Sequence, residues 1–198
     1  MARRIGDKMK AVAFNGSPKT DGNTAHMLRL VLSDLEKDGI ETEFVQVGGE
    51  LVRGCRACGA CRQNKDMKCA ITSDKINEWI QKMASADAII IGSPTYFADL
   101  TPETKALMDR CGYVSRSNGN FLKRKVGAAV VVARRAGAVH VFDSINHFFT
   151  ILEMIIPGSS YWNLSLSLAP GDFEKDAEGN ATMHTLADNM AWLMKKLK

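Results

Sequence analysis

The chain has 198 residues, 45% of them hydrophobic and 24% charged, with a formal net charge of +4. Those values suit one ordinary globular domain, residues 1–198, with a substantial core, and they exclude a disordered class. The charge is too mild to argue for nucleic acid, and the apolar runs are strand-sized, too short to cross a bilayer.

In chain order, the N-terminal MARRIGDKMK carries Arg3 and Arg4 but no apolar signal-peptide core behind them, so a cytoplasmic protein is expected. KAVAFNGS reads as a buried strand that stops at a glycine-serine loop. Over 23–37, Met27, Leu28, Val31, Leu32 and Leu35 share one helical face, and Gly39 closes the helix. TEFVQV is a second strand, followed by a cysteine-rich insertion at about 53–71 and a helix over about 74–84. DAIIIGSPTYF is a parallel strand with continuous isoleucine, and Pro102 suits the first turn of the next helix. VGAAVVVA is a fourth buried strand, and VHVFDSINHFFTILEMI reads as one long helix running to Pro157 and Gly158. SYWNLSLSLA is a fifth strand, GDFEKDAEGN a solvated connection, and TLADNMAWLMKKL the closing helix. Five strands alternating with helices predict an α/β, doubly wound parallel sheet with helices on both faces.

In such sheets ligands sit beyond the carboxyl ends of the strands. Three strand ends carry unusual loops, NGSPKTDGNT, GSPTYFAD and ARRAGA, which are expected to open on one edge. The first joins a strand to a helix N-terminus through small and hydroxyl residues, a setting that is either a capped loop with a turn or one that favours a phosphate. Neither the Walker pattern nor the dinucleotide glycine fingerprint is present. In the second loop, Tyr96 and Phe97 are either anchors packed back on the core or walls for a flat ring.

Together, GSPKTDGNT and GSPTYFADLTPETKALMDR resemble the flavodoxin-like NADPH-dependent FMN reductase superfamily, a likeness that covers nearly the whole chain. The resemblance implies a flavodoxin-like fold, non-covalent FMN and a homodimer or homotetramer. By position it implies that Ser17, Lys19, Asn23, Thr24 and Ala25 hold the phosphate. It likewise puts Pro94, Thr95, Tyr96 and Phe97 on the ribityl chain and ring, with Ala133, Arg134, Arg135 and Gly137 closing over the flavin.

Four of the five cysteines fall in RGCRACGACRQNKDMKC, spaced C-x2-C-x2-C-x7-C at Cys55, Cys58, Cys61 and Cys69. Zinc sites usually use two separated C-x2-C knuckles, whereas this compact run is closer to iron–sulfur ligation. Spectator thiols on a basic loop, or a Cys58–Cys61 redox pair, are the cluster-free readings. The pattern resembles the compact motif of the iron–sulfur flavoproteins, a branch of the same superfamily, which implies a 4Fe–4S cluster on these four residues. Arg53, Arg56, Arg62, Lys65 and Lys68 would then offset the about two negative charges of an oxidised cubane with four thiolates. Cys111 and the histidines at 26, 140, 147 and 184 read as packing or surface residues.

The expected function is that of an FMN-dependent oxidoreductase passing electrons between a donor, the cluster and FMN. The donor or acceptor is a small molecule, with NAD(P)H as a possible donor and ferredoxin as a protein candidate. The alternatives are a cluster-free NAD(P)H-dependent FMN or quinone reductase and a non-enzymatic flavodoxin-like electron carrier.

Overall fold

A computed structural model describes residues 8–198; Arg3 and Arg4 lie outside the described residues. Five parallel strands form one sheet: β1 (Lys10–Asn15), β2 (Glu41–Gln46), β3 (Ala88–Pro94), β4 (Val126–Ala133) and β5 (Leu164–Leu166). Their order is β2-β1-β3-β4-β5, the flavodoxin-like doubly wound arrangement, whose switch point lies between β1 and β3.

Side chains that alternate along each strand feed two cores. Val12 and Phe14 of β1 face α3 (Ile76–Ser85), α4 (Pro102–Ser117) and α5 (Ala138–Ile151). Ala11 and Ala13, on the other face, meet α1 (Asn23–Lys37) and α6 (Ala177–Leu197). The inner strands β3 and β4 are buried almost throughout, which is why they read as continuous apolar runs. A short helix, α2 (Ala60–Asn64), lies inside the cysteine-rich insertion between β2 and α3.

Three expectations need correction at the C-terminal end. The helix α5 stops at Ile151 rather than near Pro157, because Glu153 turns to a left-handed φ of 58° and Ile155 then pairs with Val126 beside the sheet. The fifth strand is three residues long rather than ten. The last helix begins at Ala177, eight residues before Thr185, inside the stretch read as solvated. There Asp176 caps the helix by accepting the Gly179 N–H at 2.9 Å, and the neighbouring Phe173 is buried.

Among the described residues no helix is long and apolar enough to cross a membrane.

Candidate functional site

Because β1, β3 and β4 are adjacent and parallel, their C-terminal loops open on one edge, as expected from the sequence. The first loop is wedged against the second. The Gly16 N–H donates to Gly92 O at 2.7 Å, and Thr101 Oγ1 donates to Gly16 O at 2.8 Å. A Cβ at Gly16 would lie 1.9 Å from Thr104 Oγ1, so only glycine permits this approach.

Two residues passed over in the sequence organise the loop from below. Asn15 Nδ2 donates to the carbonyls of Ser17 and Lys19, and Gln46 Nε2 donates to Ser17 O and Gly48 O. The two amides are joined at 2.7 Å. Their signal was available: each is a polar residue ending a strand, where an apolar one would otherwise complete the run.

With Ser17 and Lys19 carbonyls drawn down, Ser17 Oγ accepts the Lys19 N–H at 3.2 Å. The N-terminus of α1 has no side-chain cap and no acidic residue in its first turn, which leaves its first N–H groups for an anion. Ser17, Asn23, Thr24 and Ala25 are all buried there, while Lys19 is exposed. The Asn23 side chain is turned away from the loop: it donates to Ala169 O at 2.9 Å and accepts the Phe173 N–H. Only its backbone faces the first turn.

In the second loop the Thr95 N–H extends the ladder to Val132 O at 2.7 Å, and the Tyr96 N–H closes a turn on Asp99 O. Phe97 is fully exposed at 102% and Tyr96 is 49% exposed, so neither anchors the loop on the core. Thr95 Oγ1 is a buried polar atom without a hydrogen-bond partner, which is a costly arrangement unless a ligand supplies one. The third loop touches the second at that point. Gly137 has φ of +88°, and a Cβ there would stand 3.0 Å from Thr95 Cγ2. Ala133 and Pro94 end their strands beside these loops, and Arg134 and Arg135 are exposed.

The second group of candidates lies farther along α4. Cys55, Cys58, Cys61 and Cys69 are free thiols lining a single cavity of about 360 Å³, walled by Arg56, Arg62, Arg110, Tyr113 and Ser117. The segment reaches this shape through left-handed residues at Ala57, Gly59, Lys65 and Met67. For the non-glycine residues such backbone costs on the order of 1–3 kcal/mol each, so neighbouring groups must hold it.

Side chains from α3 and α4 do so. Asn77 takes the Cys69 N–H and returns its amide to Cys69 O and Ile71 O. Asn118 accepts the Met67 N–H, and Gln81 donates to Met67 O. The deepest tie is Arg110. Its Nε donates to Cys69 Sγ at 3.2 Å, its Nη1 to Asp74 Oδ2 at 2.5 Å and Arg53 O at 3.0 Å, and its Nη2 to Ile71 O at 2.8 Å. Arg110 was also missed in the sequence, although an arginine between Leu107 and Val114 on an apolar helical stripe was its signal.

Electrostatics divides the thiols. The Ala60 N–H, and after it the Arg56 guanidinium, hold the Cys58 thiol below its usual range. Burial pushes Cys111, a core residue as expected, up to about 12. The histidines make surface contacts: His26 lies between Asp21 and Glu174, His184 on Asp34 and His140 near Asp99.

The model of the NADPH-dependent FMN reductase family matches residues 9–168. The chain belongs to this family. An iron-sulfur flavoprotein of Methanocaldococcus jannaschii is 35% identical over 197 residues, covering 96% of this chain and all of the relative. One from Methanosarcina thermophila is 31% identical over 192 residues, covering 96% and 97%. Among solved structures, RosB with a bound riboflavin-5'-phosphate derivative superposes with a TM-score of 0.79 at 20% identity, covering 96% of this chain and 80% of that one. An archaeal flavodoxin gives 0.60 at 18% identity, covering 94% and 99%. The solved structures establish the flavodoxin-like fold. With its family membership, the chain is a flavin-dependent oxidoreductase.

Proposed function

We propose that this flavin oxidoreductase is of the iron–sulfur flavoprotein type, with FMN at the strand edge and a 4Fe–4S cluster in the cysteine-lined cavity. The observation that carries the reading is the convergence of all four clustered cysteines on one cavity, with N–H and guanidinium donors at the sulfurs. Among the described residues no three His, Cys, Asp or Glu side chains gather around a single metal ion. A cubane takes one thiolate at each of four irons, so its ligands stand around a volume rather than a point, which suits this lining. The relatives named iron-sulfur flavoproteins support the same assignment.

FMN exchanges electrons singly or in pairs, and the cluster exchanges them singly. The chain's own residues bind and orient. The backbone N–H groups at the start of α1, from Asn23, Thr24 and Ala25, take the phosphate together with the Ser17 and Thr24 hydroxyls and the Lys19 side chain. Pro94, Thr95, Tyr96 and Phe97 line the ribityl chain and ring, and Thr95 Oγ1 gains the partner it lacks. The segment from Ala133 through Arg134 and Arg135 to Gly137 covers the ring edge. NAD(P)H is the small-molecule donor that the family name suggests, and ferredoxin the protein candidate. The exposed Tyr161, Trp162, Leu166 and Leu168 give an apolar face for a homodimer or homotetramer.

Anaerobically produced protein should contain about four irons and four sulfides per chain, with broad absorption beyond the flavin bands. Cys58→Ala should lose most of that iron and keep FMN. Stoichiometric zinc, or no metal after anaerobic reconstitution, would leave the cluster-free NAD(P)H-dependent FMN or quinone reductase standing.

A further inference from the structure

Cys55, Cys58 and Cys61 come from one tight run, which by itself brings all three to the wall of one cavity. Cys69 arrives after a gap of seven residues and has to be brought back by something else. Asn77 fixes its backbone, and Arg110 alone among the residues described above reaches its sulfur from the protein interior.

Arg110 is the only lysine or arginine among the buried residues described, with its side chain 0% exposed and that of its partner Asp74 3% exposed. A buried ion pair is a poor device for stability alone, since well-packed apolar residues of similar volume do as well or better. What apolar residues cannot supply is a donor to sulfur and a fork with several fixed directions. Arg110 uses both. Through Arg53 O and Ile71 O it grips the chain on either side of the four cysteines, and Asp74 Oδ2 takes the Arg53 N–H from the same place. Removing this one side chain frees both ends of the segment from α4 and leaves Cys69 Sγ without its donor.

We propose that Arg110 is a positioning residue for the metal centre: it sets Cys69 as the fourth ligand, closes the cysteine segment on α4, and tunes the centre's potential through its bond to sulfur. The proposal rests on the cluster reading above. A positive donor at a ligand sulfur favours the more negative, reduced state, so its loss lowers the midpoint potential.

The test uses full-length protein reconstituted anaerobically. Arg110→Met with Asp74→Asn removes the guanidinium without stranding a buried carboxylate, and the single Asn oxygen can still accept one of the two N–H groups, from Arg53 or Ile76, that Asp74 takes on separate oxygens. This variant should fold and bind FMN like the wild type. It should lose iron to a chelator about 10–100-fold faster, the range seen for outer partners of metal ligands. Its remaining cluster should titrate at a lower potential, a change that a purely structural role would not produce. Arg110→Lys keeps the charge but offers one nitrogen for four acceptors, so it should release iron faster while holding its potential nearer the wild type. If the double variant does not fold, the lysine variant decides alone. Wild-type iron release and potential in the folded variants would overturn the role of Arg110 and leave the cluster reading intact. A wild-type protein that takes up no iron would overturn both.

Discussion

The strand edge and the cysteine segment are two ways of building a site on one scaffold, and α4 serves both. At its N-terminus Thr101 and Thr104 pack on Gly16; from Arg110 to Ser117 it walls the cysteine cavity, roughly 14 Å farther along at 1.5 Å per residue. The strand edge is made by topology. Parallel strands deliver three loops to one line, and close backbone approach fixes them there. The cysteine segment has no sheet to lean on. Its backbone turns through strained residues, and Asn77, Gln81, Arg110 and Asn118 satisfy the groups a ladder would otherwise pair. One site therefore depends on what cannot fit, the other on what must reach.

The widest breach of that contrast is Gly16→Ala. The new methyl would meet Thr104 Oγ1 at 1.9 Å and the Gly92 carbonyl at 2.8 Å, and the second of these is backbone that cannot swing away. We expect a loss of roughly 3 kcal/mol. For a chain of this size that lowers Tm by roughly 6–12 °C. FMN should weaken with it, while iron loading at the far end of α4 should hold. An unchanged Tm with unchanged FMN affinity would mean that the two loops are not wedged as described.

The same contrast explains what could be read from the sequence. Strand alternation and loop composition carried the fold and the gathering of three loops on one edge, because period-two burial and a glycine-serine stop are local signals. The cysteine spacing marked the cysteine segment but not its support. Arg110 and Asn118 act across 41 and 51 residues, Asn77 across only eight, and of the three only Arg110, a charge on an apolar stripe, breaks a local pattern. Asn23 shows the reverse case, a residue whose side chain the sequence could not place. Its place at a helix start marked it as a phosphate ligand, yet its side chain is spent on Ala169 and Phe173, residues far along the chain. The overlong α5 and the late start given to α6 have similar causes, a left-handed Glu153 and a capping Asp176.

A finer test of the strand edge removes hydroxyls and leaves its shape alone. Ser17→Ala with Thr24→Ala deletes two side-chain donors at the uncapped start of α1. A hydrogen bond to a charged group is worth roughly 1.5–3 kcal/mol, so FMN affinity should fall by about two decades or more. Isothermal titration of the apoprotein with FMN measures this, with riboflavin as the control. The loss should be specific to FMN, since riboflavin has no phosphate. Equal losses for both ligands would place these hydroxyls on the ring or ribityl chain instead.

The smallest expected effect separates the two sites by pH. The ties under the first loop are amides and hydroxyls, from Asn15, Gln46 and Thr101, whereas the cysteine segment hangs partly on the Asp74 carboxylate. Burial works against that carboxylate, but bonds from Arg110 and from the Arg53 and Ile76 N–H groups outweigh it and hold its pKa below the ordinary value. A carboxyl whose pKa is lower in the folded state contributes fully above its unfolded pKa, about 3.9. That contribution is lost as pH falls through the folded value. In cluster-free protein, hydrogen exchange over residues 53–71 should therefore quicken below about pH 4 before the loop over residues 15–24 responds. One carboxyl can change the slope by at most about 1.4 kcal/mol per pH unit, so the comparison needs Asp74→Asn beside the wild type. The variant should exchange faster at neutral pH and lose the acid step. An acid step of the same size in both proteins would assign it to other carboxylates and remove Asp74 from the hold on the segment.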